Sequence, residues 1–109
     1  MDVAEQIKEA IESHPIVLFM KGSPTFPMCG FSARTVEVLK QLDAEFAYVD
    51  VLTSPGVRQA LPQYSNWPTF PQLFVNGELV GGCDITLELF ESGELKEIIS
   101  AAQASEKSE

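Results

Sequence analysis

The amino-acid sequence predicts an α/β protein in which a four-stranded mixed sheet is flanked by helices. Residues 16–20 form a continuous apolar run, which is typical of a strand buried on both faces. The helical stretch 31–42 separates this run from a second strand segment at 46–51, so the two strands should be parallel. Asn76-Gly77, between two further short strand segments, is a strong hairpin signal and makes the last two strands antiparallel.

The remaining elements follow from helical spacing and from residues that end helices. Val3, Ile7 and Ile11 recur at helical spacing, and Pro15 then stops the first helix. The predicted elements are helix 2–13, strand 16–20, loop 21–28, helix 31–42, strand 46–51, helix 55–64 with Ser54 as its N-cap, loop 66–71, strands 72–75 and 78–80, helix 85–91 capped by Asp84, and helix 94–103.

Composition and charge limit the function classes. The chain has 109 residues, which suits one domain, and 45% of them are apolar. A net charge of −9 argues against nucleic acid and against anionic membranes, because both need a surplus of Lys and Arg. No basic, apolar leader is visible at the N-terminus, and residues 16–20 are too few to cross a bilayer. We therefore expect a cytoplasmic protein.

Cys29 is the main candidate for chemistry. It follows a Pro-rich loop and opens a helix, whose free amides and dipole stabilise a thiolate; Lys21 can add a positive charge. The alternative is a small buried apolar residue. A dithiol redox motif would carry a second cysteine at position 32, where this chain has Ser32. The thiol can attack or bind metal, but it needs a second sulfur from elsewhere.

The other candidates are ambiguous when each is considered alone. Cys83 could be a buried structural cysteine, a resolving thiol for Cys29, or a residue whose backbone contacts a ligand. Arg58, considered alone, is more typical of a solvated surface residue. Pro71, considered alone, would be expected to have a trans peptide bond. With two cysteines and the single His14, the chain has too few ligands for a closed zinc site.

Four motifs in order resemble the CGFS-type monothiol glutaredoxins. They are Met20-Lys21-Gly22, Cys29-Gly30-Phe31-Ser32, Asn66-Trp67-Pro68-Thr69-Phe70-Pro71-Gln72 and Asn76-Gly77-Glu78-Leu79-Val80-Gly81-Gly82-Cys83-Asp84. The resemblance covers residues 3–103 and is strongest to the short, bacterial form. It implies a thioredoxin fold, a single glutaredoxin domain over residues 1–109 and a cis peptide bond before Pro71. Residues 104–109 are small and charged, so we expect a frayed tail there.

The resemblance also implies a binding groove for glutathione beside Cys29. The residues implied are Lys21 and Arg58 for the glycine carboxylate, the backbone around Thr69, Phe70 and Pro71 for the cysteinyl unit, and Cys83 with Asp84 for the γ-glutamyl end. Each role suits the chemistry of that part of the tripeptide, since cations bind carboxylates and main chain binds peptide.

A shared iron–sulfur cluster is the second implication of the resemblance. A [2Fe-2S] cluster takes four thiolates, and a homodimer would supply two from Cys29 and two from glutathione. BolA-like proteins and apo iron–sulfur proteins are the implied partners in cluster assembly and transfer. Two alternatives remain: a glutathione-dependent thiol–disulfide oxidoreductase acting through Cys29, and a regulatory adaptor that senses iron.

Overall fold

The computed structural model describes residues 2–107, with side chains over 2–104. In chain order, the elements are α1 (Val3–Glu12), β1 (Ile16–Met20), β2 (Gly22–Ser23), β3 (Phe26–Pro27), α2 (Gly30–Gln41), β4 (Ala47–Asp50), α3 (Pro55–Ser65), β5 (Gln72–Val75), β6 (Glu78–Gly81), α4 (Cys83–Ser92) and α5 (Glu94–Lys107). All the helices and all four principal strands expected from the sequence are present.

The main sheet has the strand order β4-β1-β5-β6. β1 runs parallel to β4, with Leu18 opposite Tyr48, and antiparallel to β5, with Leu18 opposite Leu73. β5 and β6 form the antiparallel hairpin that Asn76-Gly77 predicted. The mixed four-stranded sheet of the thioredoxin fold is therefore confirmed. β1 lies between a parallel and an antiparallel neighbour, which explains its continuous apolar run.

Alternating residues of β1 face two separate hydrophobic cores. Leu18 and its neighbours at 16 and 20 pack with residues of α2 and α5, whereas Val17 and Phe19 pack with residues of α1 and α3. Phe19 meets Phe74 edge-on, with ring centroids 5.5 Å apart. Because side chains alternate along a strand, one strand anchors helices on both faces. The two helix layers hold the ends of β1 and β5 in place, and the functional residues lie at those ends.

The start of α4 and its N-cap residue differ from the sequence-based prediction. α4 begins at Cys83 rather than at 85, because Gly82 takes the N-cap position and its carbonyl accepts the Thr86 N–H at 3.1 Å. Asp84 therefore lies in the first turn, and its prediction as the capping residue is wrong. Ser54 does occupy the N-cap of α3, but its side chain makes no capping hydrogen bond.

The last helix, α5, extends to Lys107, past the predicted end at 103. Residues 104–107 of the predicted tail are therefore helical, while residues 108–109 lie outside the described part of the chain. Over residues 2–107, none of the helices combines the length and the apolar character that a membrane crossing requires.

The predicted loop 21–28 contains a small hairpin formed by β2 and β3. The Gly22 N–H donates to Asp50 Oδ1 at 2.9 Å, and the Met28 N–H donates to the Lys21 carbonyl at 2.9 Å. Lys40 Nζ donates to the Pro24 carbonyl at 3.3 Å. The Met28 bond joins the two ends of the hairpin, while the other two bonds attach the hairpin to the end of β4 and to the last turn of α2.

Replacing Gly22 by Ala should destabilise the protein strongly. Gly22 has a φ of +93°, and a Cβ there would lie 2.5 Å from the Phe26 carbonyl oxygen and 2.7 Å from the Met28 nitrogen. The φ strain alone costs about 1–3 kcal/mol, and the backbone clash adds to it. Gly30→Ala is the matched control, because a Cβ at Gly30 meets nothing within 4 Å. Urea denaturation should show a lower midpoint for Gly22→Ala only; equal midpoints would contradict this account of the hairpin.

Candidate functional site

Cys29 occupies the N-cap position of α2, with an extended backbone at φ −151° and ψ 136°. The pKa of its thiol is lowered from the ordinary value, chiefly by the backbone N–H of Ser32. Partial burial opposes this shift, while the Phe31 N–H, the charge of Lys21 and the Ser32 hydroxyl reinforce it. The Cys29 side chain makes no capping hydrogen bond of ordinary geometry, but the N–H groups of Ser32 and Phe31 at the helix start still favour its thiolate. The predicted activation of Cys29 at a helix start therefore has a structural basis.

Ser32 is completely buried, one helical turn below Cys29. Its Oγ accepts the Lys21 N–H at 3.1 Å, which links the start of α2 to the end of β1. A hydroxyl that accepts this bond keeps its own proton for donation. In a dithiol motif, position 32 would carry the second cysteine. In this chain it carries Ser32, whose hydroxyl fixes the backbone of Lys21.

The lowered pKa of Cys29 has a measurable consequence in its alkylation rate. The rate should rise with pH as the thiolate forms, and its midpoint should lie below the ordinary cysteine pKa of about 8.5. Lys21→Met should raise that midpoint, because it removes a positive charge that lowers the pKa. Lys8→Met, which removes an exposed charge on α1, is the control. Peptide-level mass spectrometry separates Cys29 from Cys83; a midpoint at or above about 8.5 would contradict the assignment.

A groove beside Cys29 brings together residues that are far apart in the sequence. It consists of two adjoining cavities of about 470 and about 410 Å³, which share Phe31, Thr69 and Phe70 in their walls. The first cavity also contains Lys21, Cys29, Arg58, Pro62 and Pro68. The second also contains Trp67, Pro71, Gly82, Cys83, Asp84 and Ile85. Every site residue expected from the sequence therefore lies along this one groove.

The two ends of the groove differ in charge. Lys21 and Arg58 both line the Cys29 cavity and place two cations at the first end. The second end combines the carboxylate of Asp84 with the N-terminus of α4, whose first amides are free donors. Such an arrangement suits a ligand with a carboxylate at one end and both an ammonium and a carboxylate at the other.

The middle of the groove is formed by the loop before β5. The Phe70–Pro71 peptide bond is cis, which confirms the expectation from the family resemblance. The low frequency of cis proline alone would have predicted a trans bond. Pro71 is buried, whereas Thr69 is exposed and Phe70 is half-buried. The exposed backbone of this segment can pair with an extended peptide, as backbone does when a strand is added to a sheet edge.

Cys83 is buried, with 7% of its surface exposed, and it is not joined to Cys29 in a disulfide. It lies in the second cavity, and Cys29 lies in the first. His14 is not among the residues lining either cavity; its Nδ1 accepts the Ile16 N–H at 3.3 Å.

Sequence reasoning missed three further residues that shape the groove. Phe31 lines both cavities, and Trp67 packs against Gly82, where a Cβ would lie 3.1 Å from Trp67 Nε1. Gln72 is fully buried behind the groove and donates to two carbonyls of the loop before β5. All three stand in the motifs that carry the family resemblance, and Gln72 is in addition a polar residue at the start of an otherwise apolar strand.

Among residues 2–104, whose side chains the structure describes, no group of three or more His, Cys, Asp or Glu is placed to hold a metal ion. Cys29 is the one thiolate that the first cavity offers. A metal centre at this site would therefore need ligands from beyond a single chain.

Comparison with known proteins agrees with this geometry. The family model described as Glutaredoxin matches residues 16–80. Glutaredoxin 4 of Haemophilus ducreyi is 57% identical over 99 residues, which cover 91% of this chain and 92% of that protein. Glutaredoxin 4 of Escherichia coli K12 is 54% identical over 105 residues, covering 96% of this chain and 91% of that protein.

Solved structures give the same result. The solution structure of reduced poplar apo GrxS14 matches with a TM-score of 0.81 at 48% identity, covering 94% of each chain. The crystal structure of a buckwheat glutaredoxin–glutathione complex matches with a TM-score of 0.83 at 25% identity, covering 94% of this chain and 91% of that one. With its thioredoxin fold and its lone thiol at the start of α2, the chain belongs to the glutaredoxin family, as a monothiol member. Its similarity to the bacterial Glutaredoxin 4 proteins extends over nearly its whole length.

Proposed function

We propose that this protein binds glutathione in the groove and carries a [2Fe-2S] cluster between two protomers, for cluster assembly and transfer. The observation that carries the proposal is the lone, thiolate-favouring Cys29 next to a groove with cations at one end. No second cysteine stands within its motif, because position 32 is a buried serine that holds the Lys21 backbone. A second sulfur must therefore come from outside the motif.

Glutathione fits the groove from end to end. Its glycine carboxylate would bind at Lys21 and Arg58, as charge-assisted hydrogen bonds favour. Its cysteinyl unit would pair with the backbone of Thr69 and Phe70, ahead of Pro71. This placement puts the ligand's sulfur next to Cys29. The similar buckwheat glutaredoxin was crystallised as a complex with glutathione.

The γ-glutamyl end would bind at the start of α4. Its ammonium would pair with the exposed carboxylate of Asp84, and its carboxylate would accept the free amides at Cys83 and Asp84. Cys83 would contribute through its backbone, which agrees with the burial of its side chain.

A cluster as cargo also fits the residues present. A [2Fe-2S] cluster needs four thiolates, and two copies of Cys29 with two glutathione thiolates supply them. The described part of one chain has no other group of ligands for a metal. Because half of the ligands would come from a dissociable small molecule, the cluster could be released to a recipient protein.

The surface around Cys29 suits contact with a second protomer. Phe26, Met28 and Phe31 are large apolar residues that are 71%, 59% and 56% exposed, and they surround Cys29 in the sequence. Exposed apolar groups of this kind usually mark an interaction site. The same surface would serve BolA-like proteins and apo iron–sulfur proteins as partners, in the reducing environment of the cytoplasm.

The lowered pKa of Cys29 favours thiol–disulfide exchange as a second candidate function. The Cys29 thiolate would attack the glutathione sulfur of a mixed disulfide and release the other thiolate. A second glutathione thiolate would then attack the new Cys29–glutathione disulfide, giving glutathione disulfide and the free Cys29 thiolate. This reaction needs one protein thiol and uses the same groove.

Anaerobic reconstitution tests the proposed function. The apo protein is incubated with ferrous iron, sulfide and glutathione, and then examined by visible spectroscopy and size-exclusion chromatography. We expect a coloured dimer that forms only when glutathione is present. A colourless monomer under these conditions, combined with rapid reduction of a glutathionylated peptide, would favour the exchange reaction instead.

A further inference from the structure

Gln72 is an amide side chain in a place that usually holds an apolar one. It is 0% exposed, and it lies opposite Phe19 of β1 at the start of β5. The rest of β5 is Leu73, Phe74 and Val75. A methionine or leucine would fill a similar volume with no polar group to satisfy.

The amide nitrogen of Gln72 holds the loop that forms the middle of the groove. Its Nε2 donates to the Trp67 carbonyl at 2.9 Å and to the Thr69 carbonyl at 3.1 Å. Its Oε1 is buried and accepts no hydrogen bond from the described residues. A buried acceptor without a partner is unfavourable. The benefit of this side chain must therefore come from its two donor groups.

One of these bonds fixes the direction of a peptide group in the groove wall. The Thr69–Phe70 peptide is trans, and in a trans peptide the C=O and the following N–H point in opposite directions. Gln72 is buried behind the loop and draws the Thr69 carbonyl toward the interior. The Phe70 N–H consequently points away from Gln72, and no described residue accepts it, while Phe70 itself lines both cavities.

We propose that Gln72 is a positioning residue that turns the Phe70 N–H toward the backbone of bound glutathione. The inference rests on the proposed glutathione site and names the residue that prepares its central donor. Gln72 does not touch the ligand. It acts through the Thr69 carbonyl, so that the free protein already presents the amide in the direction needed for binding.

The test compares glutathione affinity in matched variants by NMR titration of ¹⁵N-labelled protein. Gln72→Met keeps the side-chain volume and removes both donors. Gln103→Met makes the same chemical change at an amide that accepts the Glu45 N–H at 2.7 Å, away from the groove. We expect Gln72→Met to bind glutathione about fivefold to tenfold more weakly, the factor for losing one neutral hydrogen bond. Gln103→Met should bind as wild type does.

Two further readouts separate positioning from general damage. The pH profile of Cys29 alkylation should be unchanged in Gln72→Met, because the groups that lower its pKa belong to α2 and Lys21. In wild type, glutathione should shift the Phe70 amide resonance and slow its hydrogen exchange. If Gln72→Met does not fold, Gln72→Glu is the second variant. It keeps the shape of the side chain but replaces the NH2 donor with an oxygen acceptor, and a weaker glutathione affinity is again expected.

The outcomes are distinct. If wild type itself shows no glutathione binding, the proposed groove is wrong. If wild type binds and Gln72→Met binds equally well, Gln72 has no positioning role. An unperturbed Phe70 amide at saturating glutathione would overturn the proposal even if neither variant could be purified.

Discussion

Replacing Cys29 by Ser is expected to abolish cluster binding while leaving the fold intact. Cys29 is the proposed protein ligand in each protomer, so its loss leaves only glutathione thiolates at the cluster. The substitution should be tolerated structurally, because Cys29 is only partly buried and makes no capping hydrogen bond. Serine is also a favourable N-cap residue, so α2 should be retained or slightly stabilised. Visible spectroscopy after reconstitution and circular dichroism would measure the two effects.

Cys83→Ser is the matched control for this experiment. It removes a thiol of the same chemistry from the other cavity of the groove, where the backbone rather than the sulfur is proposed to contact glutathione. Most cluster binding should remain in Cys83→Ser. A normal cluster spectrum in Cys29→Ser, or its loss in Cys83→Ser with glutathione binding retained, would contradict the ligand assignment.

Replacing Arg58 by Ala should weaken glutathione binding without removing an iron ligand. Arg58 is exposed and contributes one of the two cations in the Cys29 cavity. A hydrogen bond to a charged group is worth about 1.5–3 kcal/mol, so glutathione affinity should fall by about one to two orders of magnitude. High glutathione concentrations should restore cluster assembly by mass action.

Arg34→Ala is the control for the loss of charge. Arg34 is an exposed arginine on α2 that lines neither cavity of the groove. Titrating glutathione into apo protein with iron and sulfide, and following the visible absorbance, gives the concentration required by each variant. If Arg58→Ala and Arg34→Ala need the same glutathione concentration as wild type, the carboxylate end of the groove has been placed wrongly.

The order of elements could be predicted from the sequence because local signals determine it. The apolar run of β1, the Asn76-Gly77 turn and the helical spacing in α1 each act over a few residues. The hairpin of β2 and β3 was missed for a physical reason. It has two residues per strand and contains Gly22 and Pro27, which are typical of loops. The start of α4 was missed because two glycines precede it, and either could have ended the hairpin.

The site could be predicted only in part from its own residues. The helix start at Cys29 indicated a stabilised thiolate, and the structure supplies the amides and the cation that lower its pKa. Arg58 and Asp84 gave no such local signal, because their place in the groove depends on contacts between distant parts of the chain. The cis bond before Pro71 also gave no local signal, and only the family resemblance predicted it. Gln72 was overlooked since its partners are backbone carbonyls, which no side-chain pattern records.

The composition of the reconstituted complex tests the central claim most directly. Native mass spectrometry of the anaerobically reconstituted protein counts chains, cluster and glutathione in a single particle. The proposed function predicts a particle of two chains, one [2Fe-2S] cluster and two glutathione molecules. Collisional activation in the mass spectrometer should release the cluster and the glutathione together. A monomer that retains a cluster, or a cluster-bearing dimer without glutathione, would contradict it.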